Sequence, residues 1–260
     1  MSNPFDLFSP KAYLAEYFPT SISTETDGHL KFMAENVYVL EYCHDVVEIG
    51  GGPTIYQLIS IAPLCGKITF CDYKQENMDE VQAWKSGEPG SYDWSSHVER
   101  SLVYEKNDHG PDAVKAREET IRRKIANFLR ADVNRPDPIG EQYRNSFDLV
   151  SCHFVTDGIT SNKQDWERLT DNVLSLLKPN GYIFMSFAES GDYWVVGDDR
   201  YPECNLTRDD IVTYFTERKL NILKIATIPA CAPDVPDADD GFKGYRAVVS
   251  LYAKKAALPS

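Results

Sequence analysis

The sequence predicts a doubly wound α/β fold, with a mostly parallel seven-stranded sheet whose last strand is antiparallel, and with an N-terminal helical lid. Three observations support this fold class. Short apolar runs alternate with helical patterns from residue 46 onward, a glycine-rich turn follows the first run, and no helical pattern separates the last two runs. Parallel neighbours need a long crossover, so the last two strands are expected to pair antiparallel.

The predicted strands are short runs rich in apolar and β-branched residues. They lie at residues 46–49, 67–71, 127–131, 147–153, 182–187, 221–228 and 244–253. The predicted helices lie at residues 54–62, 77–85, 112–125, 165–177 and 208–219. The third helix illustrates the pattern, because Val114, Ile121 and Ile125 share one face and charged residues fill the other. Thr207 is the expected N-cap of the last helix.

The residues before the first strand are predicted to form the lid. Pro10 can start a helix, in which Tyr13, Leu14, Tyr17 and Phe18 share one face. Such a face either packs on the sheet, as in an ordinary amphipathic helix, or closes over a bound ligand.

Composition and charge exclude several classes of function. The 260 residues include 27 lysines and arginines against 40 aspartates and glutamates, a formal net charge of −13. That charge opposes binding to nucleic acid or an anionic membrane, so a small neutral or cationic ligand is the expected partner. The six cysteines form no C-x-x-C pair and the five histidines no zinc-like spacing, so no metal site is expected.

The length and the absence of an internal repeat favour a single domain, residues 1–260. Residues 1–45 are expected to be the lid and residues 46–260 the core. No apolar run reaches the roughly 20 residues of a membrane helix, and the first residues do not resemble a secretory signal. We therefore expect a cytoplasmic protein, and its compact size favours a monomer.

The strongest local motif is EIGGGPTIY at residues 48–56. A buried strand ends there, the glycines allow tight turning and close approach of a ligand, and a helix is expected to begin near Pro53. Asp72 follows 20 residues after Gly52, at the end of the next predicted strand. A carboxylate at that place can accept hydrogen bonds from ribose hydroxyls, so the motif predicts a nucleoside site.

Two nucleoside cofactors are alternatives for this site. A dinucleotide fold requires G-x-G-x-x-G, but Ile55 stands at the third glycine position and Pro53 lacks an amide that would face a pyrophosphate. S-adenosylmethionine has no phosphate, so neither departure harms its binding. Asp132 follows the next predicted strand and can bind an adenine amino group. The three features in this order favour S-adenosylmethionine, with its product S-adenosylhomocysteine.

Several longer stretches carry a family resemblance. FSPKAYLAEYF at residues 8–18 looks like an aromatic lid motif, IGGGPTIYQL at residues 49–58 is similar to a signature loop, and LKPNG at residues 177–181 resembles a turn before the fifth strand. On these residues the sequence resembles the nicotinamide, phenylethanolamine and indolethylamine (thioether) N-methyltransferase family. The resemblance covers nearly the whole chain and implies a Rossmann-like class I methyltransferase.

The resemblance also implies a set of cofactor-binding residues. They are Tyr13, Phe18, Gly50, Gly52, Tyr56, Asp72, Tyr73, Asn77, Asp132, Val133 and His153. Gly51 and His153 depart from the family pattern. His153 is expected either near the point of methyl transfer or as a packed, hydrogen-bonded histidine at the end of its strand.

For the methyl acceptor, the resemblance implies a pocket with several carboxylates. Asp157 is the first candidate for holding an ammonium and taking its proton, and Tyr17 is expected beside it as the second catalytic residue. The other expected acceptor-binding residues are Glu189, Asp192, Tyr193, Trp194, Glu203 and Asp239. The acids at residues 234–240 are either a solvated loop or a trap for a cation.

The expected function is methyl transfer to the nitrogen of a small basic amine or guanidine. An O- or S-methyltransferase of a small molecule and a nucleoside-binding protein without catalysis remain as alternatives. An oxidoreductase with a nicotinamide cofactor is disfavoured by Pro53 and Ile55.

Overall fold

A computed structural model describes residues 4–19, 21–230 and 244–256. Its centre is a seven-stranded sheet, and the predicted fold class is confirmed. The strands are β1 (Cys43–Ile49), β2 (Cys65–Asp72), β3 (Ile125–Arg130), β4 (Phe147–His153), β5 (Leu177–Glu189), β8 (Leu220–Pro229) and β9 (Ala247–Lys255), with β6 (Tyr193–Val196) and β7 (Asp199–Pro202) forming a separate hairpin.

The order of strands in the sheet is β3-β2-β1-β4-β5-β9-β8. The first five are parallel, and β9 runs antiparallel to both of its neighbours, β5 and β8. The order reverses between β1 and β4, and ligands of open α/β sheets bind in the crevice at such a reversal, beyond the carboxyl ends of the strands. That crevice is where the glycine-rich turn after β1 lies.

Helices cover both faces of the sheet. They are α1 (Pro10–Tyr17), α2 (Thr24–Asn36), α3 (Gln75–Ser86), α4 (Ser95–Tyr104), α5 (Pro111–Lys124), α6 (Lys163–Leu174) and α7 (Arg208–Glu217). Two apolar cores result, one on each face. The parallel strands β1, β2, β4 and β5 are mostly buried, whereas the edge strand β3 is partly exposed. The expected cap of α7 is present, since Thr207 and Asp210 form a reciprocal capping box.

The N-terminal segment contains one helix more than the sequence predicted. α1 begins at Pro10 as expected, with the side chain of Ser9 as its N-cap. α2 was missed, because glycine and polar residues interrupt its apolar pattern. It buries Leu30 and Met33 against the sheet, and its N-terminus is capped by Ser23.

The helix predicted at residues 54–62 is wrong. The structure has only short 3₁₀ turns there, Tyr56–Leu58 and Ala62–Leu64. The side chains of Thr54 and Gln57 both donate hydrogen bonds to the carbonyl oxygen of Gly51. These buried bonds hold the segment as a turn, and Pro63 prevents a regular continuation.

Other differences concern boundaries and short elements. The helix predicted at residues 165–177 ends at Leu174, because Leu177 already pairs with Phe147 as the first residue of β5. The strand predicted from Gly244 begins at Ala247, since Gly244 has a φ of +96°. α4 and the β6–β7 hairpin were not predicted.

None of the helices in the described part of the chain combines the length and the apolar character that a membrane span requires.

One ion pair between α4 and α5 is well shielded from solvent. Arg117 Nη2 lies 2.6 Å from Glu105 Oε2, with 11% and 9% of the two side chains exposed, and Arg117 Nη1 also donates to the carbonyl oxygen of Ile59. Removing one member of such a pair leaves the other charge buried and unpaired.

We therefore expect Arg117→Gln to lower the free energy of unfolding by about 3 kcal/mol, measured by urea denaturation. Arg168→Gln is the matched control, because its pair with Asp165 is about half exposed. That variant is expected to lose less than about 1 kcal/mol. Equal losses in the two variants would contradict this account of the α4–α5 contact.

Candidate active site

A cavity of about 370 Å³ lies at the carboxyl ends of β1, β2 and β4, under the N-terminal segment. Its floor is formed by the turn after β1, and its cover by side chains from α1 and α2. Among the described residues, one lysine lines the cavity, Lys74, and no arginine does. The acidic lining residues are Glu25, Glu48, Asp72, Asp132 and Glu203. The site is therefore concave, mostly covered and rich in carboxyl groups.

The turn after β1 depends on its glycines. The amides of Gly50 and Gly51 both donate to the carbonyl oxygen of Cys71, which ties the turn to the end of β2. Gly50 and Gly52 have φ values of +66° and +59°, a region that side chains disfavour. A Cβ on Gly50 would lie 2.3 Å from Val155 Cγ2, whereas one on Gly52 would meet no protein atom within 4 Å. Gly52 thus leaves room at the cavity for a ligand.

Asp72 holds the next part of the floor. Its Oδ2 accepts a hydrogen bond from the amide of Gly52 at 2.9 Å, and its Oδ1 accepts from the Lys74 amide and from Asn77 Nδ2. Burial raises the pKa of the Asp72 carboxyl, and these hydrogen bonds act in the opposite direction. Asn77 Oδ1 is buried without a hydrogen-bond partner. A ribose hydroxyl is a donor that suits this oxygen.

Asp132 and Val133 follow β3 on the far side of Asp72, and both line the cavity. Asp132 Oδ1 accepts from the amide and the side chain of Asn134. Tyr73 lies at the rim, 41% exposed, with the guanidinium of Arg130 4.8 Å from its ring centre. This part of the wall can bind a flat heterocycle by its edge and its face.

Aromatic side chains of the lid cover the cavity. The rings of Tyr13 and Tyr17 stack at 4.7 Å, and the ring of Phe18 lies 5.1 Å from that of Tyr56. The hydroxyl of Tyr17 donates to the carbonyl oxygen of Val195 in the hairpin. Burial raises the pKa of Tyr13 and of Tyr17, so both phenols stay neutral.

Two carboxyl groups are buried side by side, Glu203 on the cavity wall and Asp157 behind it. Asp157 is completely buried and Glu203 is 3% exposed. Asp157 Oδ2 accepts from the Ala188 amide at 2.7 Å, while Asp157 Oδ1 and Glu203 Oε1 have no donor among the described residues. Burial raises the pKa of Asp157 to about 7, and burial and the Asp157 charge raise that of Glu203 well above its usual value. The pair therefore keeps at least one proton near neutral pH.

The structure brings every predicted cofactor residue to the cavity wall. The lining residues from that set are Tyr13, Phe18, Gly50, Gly52, Tyr56, Asp72, Tyr73, Asn77, Asp132, Val133 and His153. Among the predicted acceptor residues, Tyr17, Trp194 and Glu203 also line it. His153 is packed and hydrogen-bonded at the end of its strand and also lines the cavity, while its expected place near the point of methyl transfer stays a prediction.

Other predicted acceptor residues are placed elsewhere. Asp157 lies behind the wall, although Val155, Gly158 and Ile159 of the same segment line the cavity. Glu189 Oε1 accepts from the Arg208 amide, and Asp192 is exposed and accepts from Asn205. Tyr193 stacks under Arg200, whose guanidinium is 4.5 Å from the ring centre. Glu189 ends β5, Asp192 lies in the loop after it, and the side chains of Tyr193 and Trp194 alternate along β6. Among residues 189 and 192–194, Trp194 alone lines the cavity. Asp239 lies outside the described residues.

Several wall residues are not predicted from the sequence, and three of them, Glu25, Thr26 and His29, come from α2. Glu25 and His29 line the cavity, and Tyr245 donates a hydrogen bond to Glu25. The signal was the i, i+4 spacing of Glu25 and His29, which places both on one helix face. This spacing was not recognised because α2 itself was not predicted.

Within the described residues, no three histidine, cysteine or acidic side chains are grouped as a metal site requires.

The fold and this cavity define a class I S-adenosylmethionine-dependent methyltransferase. Solved structures of that class are similar in fold. A methyltransferase from Methanosarcina mazei has a TM-score of 0.57 and 13% identity, covering 85% of this chain and 97% of that one. An N-methyltransferase from Bradyrhizobium japonicum, in complex with S-adenosylhomocysteine, has a TM-score of 0.52 and 12% identity over 98% of this chain and 99% of its own.

The chain belongs to the NNMT/PNMT/TEMT family, whose model matches residues 2–256. Human nicotinamide N-methyltransferase is 28% identical over 212 residues, 78% of each chain. Mouse indolethylamine N-methyltransferase is 25% identical over 240 residues, 90% of each chain. Bovine phenylethanolamine N-methyltransferase is 26% identical over 209 residues, 77% of this chain and 73% of its own. The protein is therefore an S-adenosylmethionine-dependent methyltransferase enzyme.

The cavity fits this cofactor by its own structure. Asn77 Oδ1 lacks a donor that a ribose hydroxyl can supply, and the space over Gly52 admits a ligand against the backbone. Pro53 at the turn removes an amide that a phosphate would have used, and S-adenosylmethionine has no phosphate.

We expect Gly52→Ala to weaken S-adenosylhomocysteine binding at least about tenfold in titration calorimetry, because the new methyl group occupies space at the cavity floor. Gly87→Ala is the matched control: Gly87 caps α3 with a φ of +71° and also has no atom within 4 Å of an added Cβ. Both variants bear a similar backbone strain of about 1–2 kcal/mol. Unchanged binding by Gly52→Ala would show that the ligand does not approach this turn.

Proposed function

We propose that this enzyme transfers a methyl group from S-adenosylmethionine to the nitrogen of a small basic amine or guanidine. We infer a basic acceptor from the buried pair of carboxyl groups, Asp157 and Glu203. No lysine, arginine or histidine forms an ion pair with either carboxyl within the described residues. A buried carboxylate without a counter-ion is costly, and a cationic ligand offsets that cost.

The pair also suits the proton chemistry of an amine. An alkylamine has a pKa of about 10.4, like lysine, and is mostly protonated at neutral pH, whereas the transfer needs its lone pair. Glu203 faces the cavity and meets the ammonium, while burial and the charge of Asp157 behind it raise the pKa of Glu203. A bound cation favours the ionised form of the pair, and a carboxylate with a raised pKa is a better proton acceptor than an ordinary one. Asp157 is in this proposal a positioning residue, and Glu203 the residue in contact with the acceptor.

The cofactor residues divide by location. Gly50, Gly52 and Tyr56 would hold the methionine part, Asp72 and Asn77 the ribose, and Asp132 and Val133 the adenine. S-adenosylmethionine supplies, when bound, an electrophilic methyl group on a positively charged sulfur. The remaining work of the protein is to orient donor and acceptor in line and to exclude water.

The lid excludes water from the cavity. Tyr13, Tyr17 and Phe18 close one side of the cavity, and Trp194 closes another, with its indole Nε1 donating to the Gly158 carbonyl. Aromatic faces attract cations, so these rings favour both an ammonium acceptor and a sulfonium donor. Tyr17 acts here through its ring, because its hydroxyl is bound to Val195 and its proton is held tightly.

The proposal is tested by mass spectrometry of amines, guanidines, azines, phenols and thiols incubated with the enzyme and S-adenosylmethionine. Amines or guanidines are expected to gain one methyl mass each, and phenols and thiols none. Methylation confined to phenols or thiols would overturn the choice of nitrogen. Binding of S-adenosylhomocysteine without methylation of any compound would favour a protein that binds the nucleoside without catalysis.

Glu203→Gln is expected to raise KM for the amine that wild type methylates best by about tenfold or more, because one charge partner is lost. Affinity for S-adenosylhomocysteine is expected to stay within about threefold. Glu217→Gln, the same change on the exposed end of α7, is the control and leaves KM unchanged. An unaltered KM for Glu203→Gln would exclude this carboxyl from acceptor binding.

A further inference from the structure

A chain of hydrogen bonds connects two buried histidines on the cavity wall, at a place that the proposed chemistry does not use. Ser151 Oγ lies 3.0 Å from His153 Nε2, and His153 Nδ1 lies 2.9 Å from Ser186 Oγ. Ser186 Oγ lies 2.9 Å from His29 Nε2 and 2.8 Å from Ser250 Oγ. The chain therefore joins α2, β4, β5 and β9.

The two imidazoles differ in the number of ring nitrogens that are free to bind a ligand. Both ring nitrogens of His153 are hydrogen-bonded, so His153 has no free nitrogen for a ligand. His29 uses only Nε2, and its Nδ1 has no hydrogen bond within the described residues. The ring of His29 is buried and lines the cavity. Nδ1 is therefore its open nitrogen, the one that a ligand in the cavity can meet.

The chain sets the hydrogen-bonding character of that open nitrogen. The Ser186 hydroxyl has one proton, so it donates to only one of its three neighbours. When it donates to His153, Nε2 of His29 must carry a proton and Nδ1 becomes an acceptor. The tautomers of the two histidines are thus coupled through one hydroxyl group.

His29 is suited to a neutral partner. It is enclosed by the rings of Tyr56, His153, Phe154 and Phe184, at 5.4–6.1 Å between centres. Burial lowers the pKa of His29 to about 3, so the ring stays uncharged at neutral pH. A cationic nitrogen is attracted more strongly by the carboxyl groups of the same cavity.

We propose that His29 is an acceptor-binding residue, whose Nδ1 hydrogen-bonds a neutral polar group of the methyl acceptor while the Ser186–His153–Ser151 chain holds its Nε2. The proposal rests on the proposed function, since it assumes that the acceptor enters this cavity. It makes His29 a determinant of specificity, because a site built for one hydrogen bond disfavours compounds that lack the matching group. Ser186 and His153 are positioning residues.

Two substitutions of His29 separate its two nitrogens. Glutamine reaches about as far as Nε2 and can keep the bond to Ser186, but it has no polar atom at the place of Nδ1. Asparagine has a polar atom near the place of Nδ1 but does not reach Ser186. The probes are phenylethanolamine, indolethylamine and nicotinamide, and their Kd values are measured by calorimetry on the complex with S-adenosylhomocysteine.

For the probe that wild type binds best, we expect His29→Gln to raise Kd at least about tenfold and His29→Asn to raise it less than about threefold. A purely structural role predicts the reverse order, with His29→Gln close to wild type. That order, or equal losses in both variants, would overturn the proposal. Thermal unfolding of both variants, and their affinity for S-adenosylhomocysteine, show whether the cavity itself is intact.

The proposed function and the role of His29 can fail separately. If the probes bind but none is methylated, methyl transfer to these amines fails, and the two Kd values still decide the role of His29. If a probe is methylated and His29→Gln binds it as wild type does, only the role of His29 fails. If wild type binds none of the probes, both are overturned for this class of acceptor.

Discussion

The hydrogen bonds to the carboxylate of Asp72 are the interaction on which the rest of the site depends. They join the glycine turn after β1, the end of β2 and the start of α3 through Gly52, Lys74 and Asn77. Burial disfavours the charge, and these donors compensate for it. The amides of Gly50 and Gly51 bind Cys71 and hold the turn in this conformation. The cavity floor follows from that conformation, and the walls are built around it.

The N-terminal segment completes the site. Without α1 and α2 the crevice at the strand reversal would be an open groove, as the parallel sheet by itself provides only a floor. Tyr17 and Glu16 bind the hairpin of β6 and β7 at Val195 and Gly197, so lid and hairpin meet across the cavity. Enclosure lowers the local dielectric and strengthens the electrostatic contacts inside. A reaction that consists largely of alignment benefits from such a closed space.

The cavity is divided between two kinds of polar group. Glu203, with Asp157 behind it, is an acidic group on the wall, while His29 and His153 are polar but uncharged. With the roles proposed above, this division lets one enzyme recognise both the charged nitrogen and a neutral substituent of its acceptor. It also explains why burial of so many titratable groups is tolerated, since histidines stay neutral and the carboxyl pair keeps at least one proton.

The sequence alone determined the alternation of strands and helices, the glycine turn, Asp72 and the aromatic stripe of α1, because each depends on local periodicity or backbone conformation. The tertiary structure decided which side chains meet. Residues 157 and 203, or 29, 153 and 186, come from separate elements, and no local pattern encodes their proximity. The same reason explains the wrong helix after Gly52, where buried side-chain bonds replaced the helical ones, and the outward placement of Glu189 and Asp192. Local periodicity and backbone conformation specified the floor of the cavity, and long-range packing determined which side chains line the rest of it.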